Sequence, residues 1–169
     1  MTALAVRAAT LDDLDAIEAV LAASYPHFFA AAYDEAILAA ALPIMVRANP
    51  GLLASGRFHV AAARDGKVVG CGGWSSAMPG TGELEAATGH IRHFATHPDW
   101  CGRGVGRLIY ARCTAQGREE GVRRFTCWSS LNAEPFYRAL GFVPIGRREV
   151  HLRGTVAFPA MEMTRTIAD

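Results

Sequence analysis

Three glycines within five residues, Gly102, Gly104 and Gly106, stand where a segment of strand character gives way to one of helical character. Residues 90–96 (HIRHFAT) read as a strand, His97-Pro98-Asp99 opens a turn, and a helix is predicted over residues 104–120. With no Cβ, glycine lets a ligand approach the main chain and lets the backbone take positive φ. The first amides of the following helix have no intrahelical acceptor and point outward, reinforced by the helix dipole. That combination makes an anion site, most often one for phosphate. A Walker loop is excluded, because Arg107-Leu108 follows Gly106 where Lys and Ser or Thr are required. A dinucleotide fingerprint is excluded as well, since Arg107 stands where its last glycine belongs. The alternative is a turn that starts a helix and holds nothing.

The rest of the chain narrows the possible partners. Seventeen basic and 16 acidic residues leave a formal charge of +1, so there is no electrostatic footprint for nucleic acid or an anionic membrane. No apolar run approaches the roughly 20 residues that span a bilayer, and residues 1–13 lack the pattern of a signal peptide. Cys71, Cys101, Cys113 and Cys127 are scattered without C-x-x-C spacing, as free thiols of a reducing cytoplasm would be. A single domain over residues 1–169 is expected, large enough to bury a core without staples.

Periodicity supplies the order of elements. LAVRA (residues 4–8) reads as a first strand, and Thr10 as the N-cap of a helix running to about Ala23. An aromatic cluster, Tyr25, Phe28, Phe29 and Tyr33, follows as a connection, then a second helix over residues 34–42 closed by Pro43. Asn49-Pro50-Gly51 reads as a turn. Residues 58–63 and 68–75 form a hairpin about Arg64-Asp65-Gly66-Lys67, and Gly70, Gly72 and Gly73 in its second strand predict a bulge or close packing of another backbone. After the central strand and helix come a strand over 123–128, a helix from about 132 to Gly141, and two last strands over 142–152 and 156–164. The order β-α-α-β-β-β-α-β-α-β-β describes an α/β chain with a mixed sheet flanked by helices.

The glycine loop resembles the pyrophosphate loop of the GNAT N-acetyltransferases, whose pattern is Gln or Arg, two residues, Gly, one residue, Gly or Ala. Gly104 and Gly106 match it, and Cys101 occupies the Gln/Arg position, with the loss of one polar contact. A second GNAT motif lies after the fifth strand: Ala133, Phe136-Tyr137 and Gly141-Phe142 match in register, with Ser130 at a position usually held by Asn. The element order is similar to that of the GNAT fold over nearly the whole chain. The resemblance implies acetyl-CoA as acyl donor, with the pantetheine arm along the main chain of Phe94, Ala95 and Thr96 and facing Ser130, helped by Asn132. It implies that the pyrophosphate lies over Gly102, Arg103, Gly104, Val105, Gly106 and Arg107. It also implies direct transfer of acetyl to the amine of a small molecule or peptide in a ternary complex, without a metal, and pairing as a homodimer through the late strands as in many relatives.

Acyl transfer to an amine needs a base for the ammonium, polarisation of the thioester oxygen and a proton for the departing thiolate. Tyr137 stands where many GNAT enzymes keep the proton donor; its alternative is a packed aromatic. His90 stands near the position of the family's base, with Glu83 and Glu85 as competitors. Arg92, two residues on and on the same strand face, is placed for a substrate carboxylate. His93 faces the other way unless a bulge re-aims it. His90, His93 and His97 do not make a convincing metal set. Tyr25, Phe28, Phe29 and Tyr33 form either a wall of the acceptor cleft or ordinary core. The competing function is a CoA-binding module for sensing or interaction without catalysis.

Overall fold

The computed structural model describes residues 3–168; Met1, Thr2 and Asp169 of the expected domain lie outside the described residues. The elements are β1 (Ala5–Ala8), α1 (Leu14–Phe29), α2 (Glu35–Met45), α3 (Pro50–Ala54), β2 (Phe58–Ala62), β3 (Val68–Ser75), β4 (Thr88–Thr96), α4 (Val105–Glu119), β5 (Arg124–Ser130), α5 (Glu134–Ala139), β6 (Val143–Leu152) and β7 (Val156–Thr166). The seven strands form one mixed sheet in the order β1-β2-β3-β4-β5-β7-β6. All neighbours are antiparallel except β4 and β5, which the crossover through α4 joins in parallel. A seven-stranded mixed sheet with flanking helices is the α/β arrangement that the element order predicts.

Two apolar clusters sandwich the sheet. On one face, Ile17, Leu21 and Phe29 of α1 and Leu53 of α3 pack with Phe58, Val60 and Cys71. On the other, Ile109 and Cys113 of α4 pack with Trp74, Phe125 and Met163, and Tyr137 of α5 joins them. The glycines of β3 make this closeness possible. A Cβ on Gly70 would stand 2.3 Å from Val105 Cγ1, and one on Gly72 would stand 2.6 Å from the Phe94 ring. The expected bulge is present, and the expected close backbone is found at Gly73, where a Cβ would stand 2.4 Å from Arg57 O; at Gly70 and Gly72 the close neighbours are side chains.

The helices differ from expectation at their ends. α1 does not stop at Ala23 but continues through Pro26 to Phe29, so the aromatic cluster begins inside the helix. A proline in a helix interior costs about 3 kcal/mol. Burying Tyr25 and Phe29, whose rings stack at 4.8 Å, returns roughly 1.5–3 kcal/mol each and outweighs it. α2 likewise runs past Pro43 to Met45, held by Leu38, Leu42 and Met45 against the same cluster. The Asn49-Pro50-Gly51 segment starts a short helix: the Asn49 side chain accepts the Leu52 N–H at 3.1 Å and Pro50 occupies its first turn. At Thr10 the capping is reciprocal, with the Asp13 carboxylate accepting the Thr10 N–H at 2.8 Å while Arg7 holds that carboxylate from outside.

Candidate active site

β4 and β5 pair over only three positions, Thr88 with Arg124, Gly89 with Phe125 and His90 with Thr126. Beyond them the strands diverge, so residues 91–96 and 127–130 have no ladder partner in each other. An opening through the middle of a sheet leaves main-chain donors and acceptors without a ladder partner; Phe94 lines the gap, its carbonyl accepting the Tyr25 hydroxyl at 3.4 Å, while Ala95 and Thr96, paired with Cys71 and Gly70 on β3, are not among the cleft's lining residues. Into this gap opens a cleft of about 810 Å3, walled by β4, β5, the end of α1 and the β6–β7 hairpin.

The glycine loop lies at the start of α4. Gly102 and Gly104 have φ of +76° and +81°, and a Cβ on either would meet nothing within 4 Å. Leu108 is bonded to Gly104 O at 3.0 Å, which leaves the amides of Val105, Gly106 and Arg107 facing out of the helix end. Gly106 has another role: its Cβ would stand 2.8 Å from the Phe136 ring, so its smallness seats α5 against α4. Cys101, Arg103 and Arg107 are exposed around the loop, and the Arg103 guanidinium rests over Trp100 at 4.8 Å. Left-handed glycines, open space and unpaired amides fit a pyrophosphate on this chain's own geometry.

Across the opening stands Tyr137, 6% exposed, its ring edge-on to Phe94 at 6.4 Å and to Phe142 at 5.5 Å. Burial pushes its phenol well above the ordinary value, which keeps it protonated and able to donate. Ser130 ends β5 on the cleft wall. Asn132, in the turn that follows, has a buried Oδ1 without a hydrogen-bond partner among the described residues.

On the other side His90 is 3% exposed. Its Nδ1 lies 2.8 Å from Thr126 Oγ1, while its buried Nε2 has no partner among the described residues. Desolvation lowers its pKa, with Arg92 and Arg124 acting in the same sense and Glu85 opposing. The imidazole is therefore neutral at neutral pH and able to accept a proton. Arg92 also lines the cleft, steadied by a hydrogen bond from Nη1 to Ser75 Oγ at 3.1 Å.

A bulge brings His93 to the cleft too. Gly73 pairs with Arg92 and Cys71 with Ala95, so His93 and Phe94 together oppose Gly72, and His93 takes φ +52°. Desolvation, aided by the Arg92 charge, lowers its pKa to about 4. His90, His93 and His97 form no group of three metal-capable side chains among the described residues.

Other candidates lie elsewhere. Glu83 and Glu85 are exposed and not among the cleft's lining residues, and Glu85 pairs with Arg124. Of the aromatic cluster, Tyr25 and Phe29 line the cleft, while Phe28 and Tyr33 pack into the core. Tyr33 is a clamp: its hydroxyl donates to Pro159 O at 2.7 Å and accepts the Leu131 N–H at 2.8 Å, tying β7 to the start of the α5 turn. Sequence reasoning missed Thr126, Trp128 and the β6–β7 hairpin as parts of the cleft. Alternation along β5 puts Thr126 and Trp128 on one face, but their approach to β4 depends on a register that alternation does not reveal.

A family model described as the acetyltransferase (GNAT) domain matches residues 45–165. The chain belongs to the GNAT acetyltransferase family. Among solved GNAT structures, a GCN5-related N-acetyltransferase from Rhodopseudomonas palustris is similar with a TM-score of 0.74 at 23% identity, over 98% of each chain. The PaiA N-acetyltransferase from Thermoplasma acidophilum, solved in complex with coenzyme A, gives 0.70 at 13% identity over 97% of this chain and 99% of its own. The N-acetylglutamate synthase from Neisseria gonorrhoeae, complexed with coenzyme A and N-acetyl-glutamate, gives 0.66 at 17% identity over all of this chain and 36% of its own. At these identities the likeness speaks to the GNAT fold. Among the described residues no helix is long and apolar enough to cross a membrane.

Proposed function

We propose that the chain transfers the acetyl group of acetyl-CoA to a primary amine of a small molecule or peptide by direct attack in a ternary complex. The observation that carries this reading is the parting of β4 and β5 beside the unpaired amides of the α4 end, with Tyr137 across the gap. Acetyl-CoA supplies the activated thioester. The amides around Gly104 hold the pyrophosphate, and the stretch Phe94, Ala95 and Thr96 of β4, beyond its pairing with β5, aligns the pantetheine arm and polarises the thioester carbonyl. Ser130, on the cleft wall, is available to the pantetheine amides, while Asn132 Oδ1 is buried in the turn that follows. His90 Nε2 takes the proton of the ammonium, directly or through a water, while Thr126 fixes the ring through Nδ1. Tyr137 gives its proton to the leaving sulfur. The complexes of coenzyme A with the Thermoplasma and Neisseria relatives support this choice of donor.

Thiol release from acetyl-CoA across a panel of amines tests the reading. Several-fold stimulation by at least one amine is expected. Tight CoA binding with no stimulation by any amine would make the chain a CoA-binding module instead.

A further inference from the structure

Arg92 is half-buried in the cleft, yet no carboxylate pairs with it among the described residues. Two acidic groups around the cleft are held by other arginines, Glu85 by Arg124 and Glu162 by Arg148 at 3.2 Å, and the exposed Glu149 lies 3.2 Å from His151. Among the described residues its side-chain hydrogen bond goes to the neutral Ser75 hydroxyl. Burial lowers the Arg92 pKa with no carboxylate to offset it. A guanidinium withdrawn from water without a counter-ion is unfavourable, and a carboxylate arriving in the cleft relieves that with charge-assisted, bidentate hydrogen bonds. Arg148 lies 4.0 Å above the Trp128 ring and is committed to Glu162, so it does not compete for the same anion.

Arg92 and His90 lie two residues apart on one face of β4, about 7 Å along the strand. The cleft lining also offers apolar side chains, Tyr25, Phe29, Leu152 and Phe158. We infer that the acceptor is an amine that also carries a carboxylate, an amino acid with an apolar side chain, held through its carboxylate by Arg92 with its amine toward His90. This rests on the acyl-transfer reading for the amine's fate but not for the carboxylate contact. Polycationic amines are the class the site selects against, because the unpaired guanidinium repels a second positive charge.

The test compares leucine and phenylalanine with their carboxamides, with spermidine, and with a short peptide whose N-terminal residue is aspartate. Each is titrated calorimetrically into the CoA-loaded protein and assayed by thiol release with acetyl-CoA. The carboxamides have the less basic amine, so without carboxylate recognition they are the better acceptors. The free amino acids are expected to bind more than tenfold tighter than their carboxamides, and spermidine to be the weakest ligand. In Arg92→Met the ratio of acid to amide should collapse to within about twofold of one, and Arg92→Lys should restore part of it. CoA affinity checks that each variant keeps its fold. Binding of the aspartyl peptide in place of the free amino acids supports the same carboxylate contact with a peptide as its source. Carboxylate-dependent binding without thiol release leaves the contact standing and refutes the enzyme. Carboxamides that bind as well as the acids, or an Arg92→Met loss equal for both, would overturn the inference.

Discussion

Replacing Gly104 by Val separates the proposed ligand role of the loop from its backbone strain. Gly104 caps α4 at φ +81° and ψ 12°, a left-handed conformation that costs an L-residue roughly 1–2 kcal/mol. Its Cβ would meet nothing within 4 Å, so no overlap is added and the damage to the fold is the strain alone. Gly66 is a matched control: it turns the β2–β3 hairpin at φ +86°, also with nothing within 4 Å of a Cβ. For a domain of this size each kcal/mol lowers Tm by about 2–4 °C, so both variants should lose roughly 2–8 °C. They part at the cofactor. The Gly104→Val side chain takes up the open space beside the loop that the pyrophosphate would fill, and calorimetry should show acetyl-CoA binding weakened more than tenfold, about 1.4 kcal/mol. Gly66→Val should bind within a factor of two of the wild type. Equal affinities in the two variants, at equal loss of Tm, would refute the assignment of the pyrophosphate to this loop.

Two further perturbations address the cleft. Tyr137→Phe keeps a ring packed against Phe94, Phe136 and Phe142 and removes only the hydroxyl, so kcat should fall roughly 10²-fold while the Kd for acetyl-CoA stays within a factor of a few; steady-state kinetics and calorimetry check this, and full turnover would make the tyrosine mere packing. For His93 the folded pKa of about 4 lies below the ordinary 6.5, so the unfolded chain binds the extra proton first as pH falls; the stability its neutral ring contributes is full above about pH 6.5 and lost toward pH 4. His93→Asn, which tolerates the left-handed φ, should show a shallower loss of denaturant stability over that window, and parallel curves would show that His93 does not titrate there.

What the sequence determined by itself is local. A glycine between strand and helix names its own conformation, because only a residue without Cβ takes φ +81° at no cost, and Gly104 does. Alternation along β4 placed His90 and Arg92 on one face, since the pleat has a period of two. The ends of α1 and α2 were not legible: the helical spacing ran only to about Ala23 and Pro43 read as a stop, and burial against distant partners, Phe58 and Phe158 among them, carried both helices further. Tyr33 gave no sign in sequence of its bonds to Pro159 and Leu131, which lie about a hundred residues away. Only the tertiary structure decided that β4 and β5 part after His90, that the bulge opposite Gly72 turns His93 toward the cleft, and that Arg92 is left without a carboxylate. Those are facts of register and of which charges are already paired, and they exist only once strands far apart in the chain have come together.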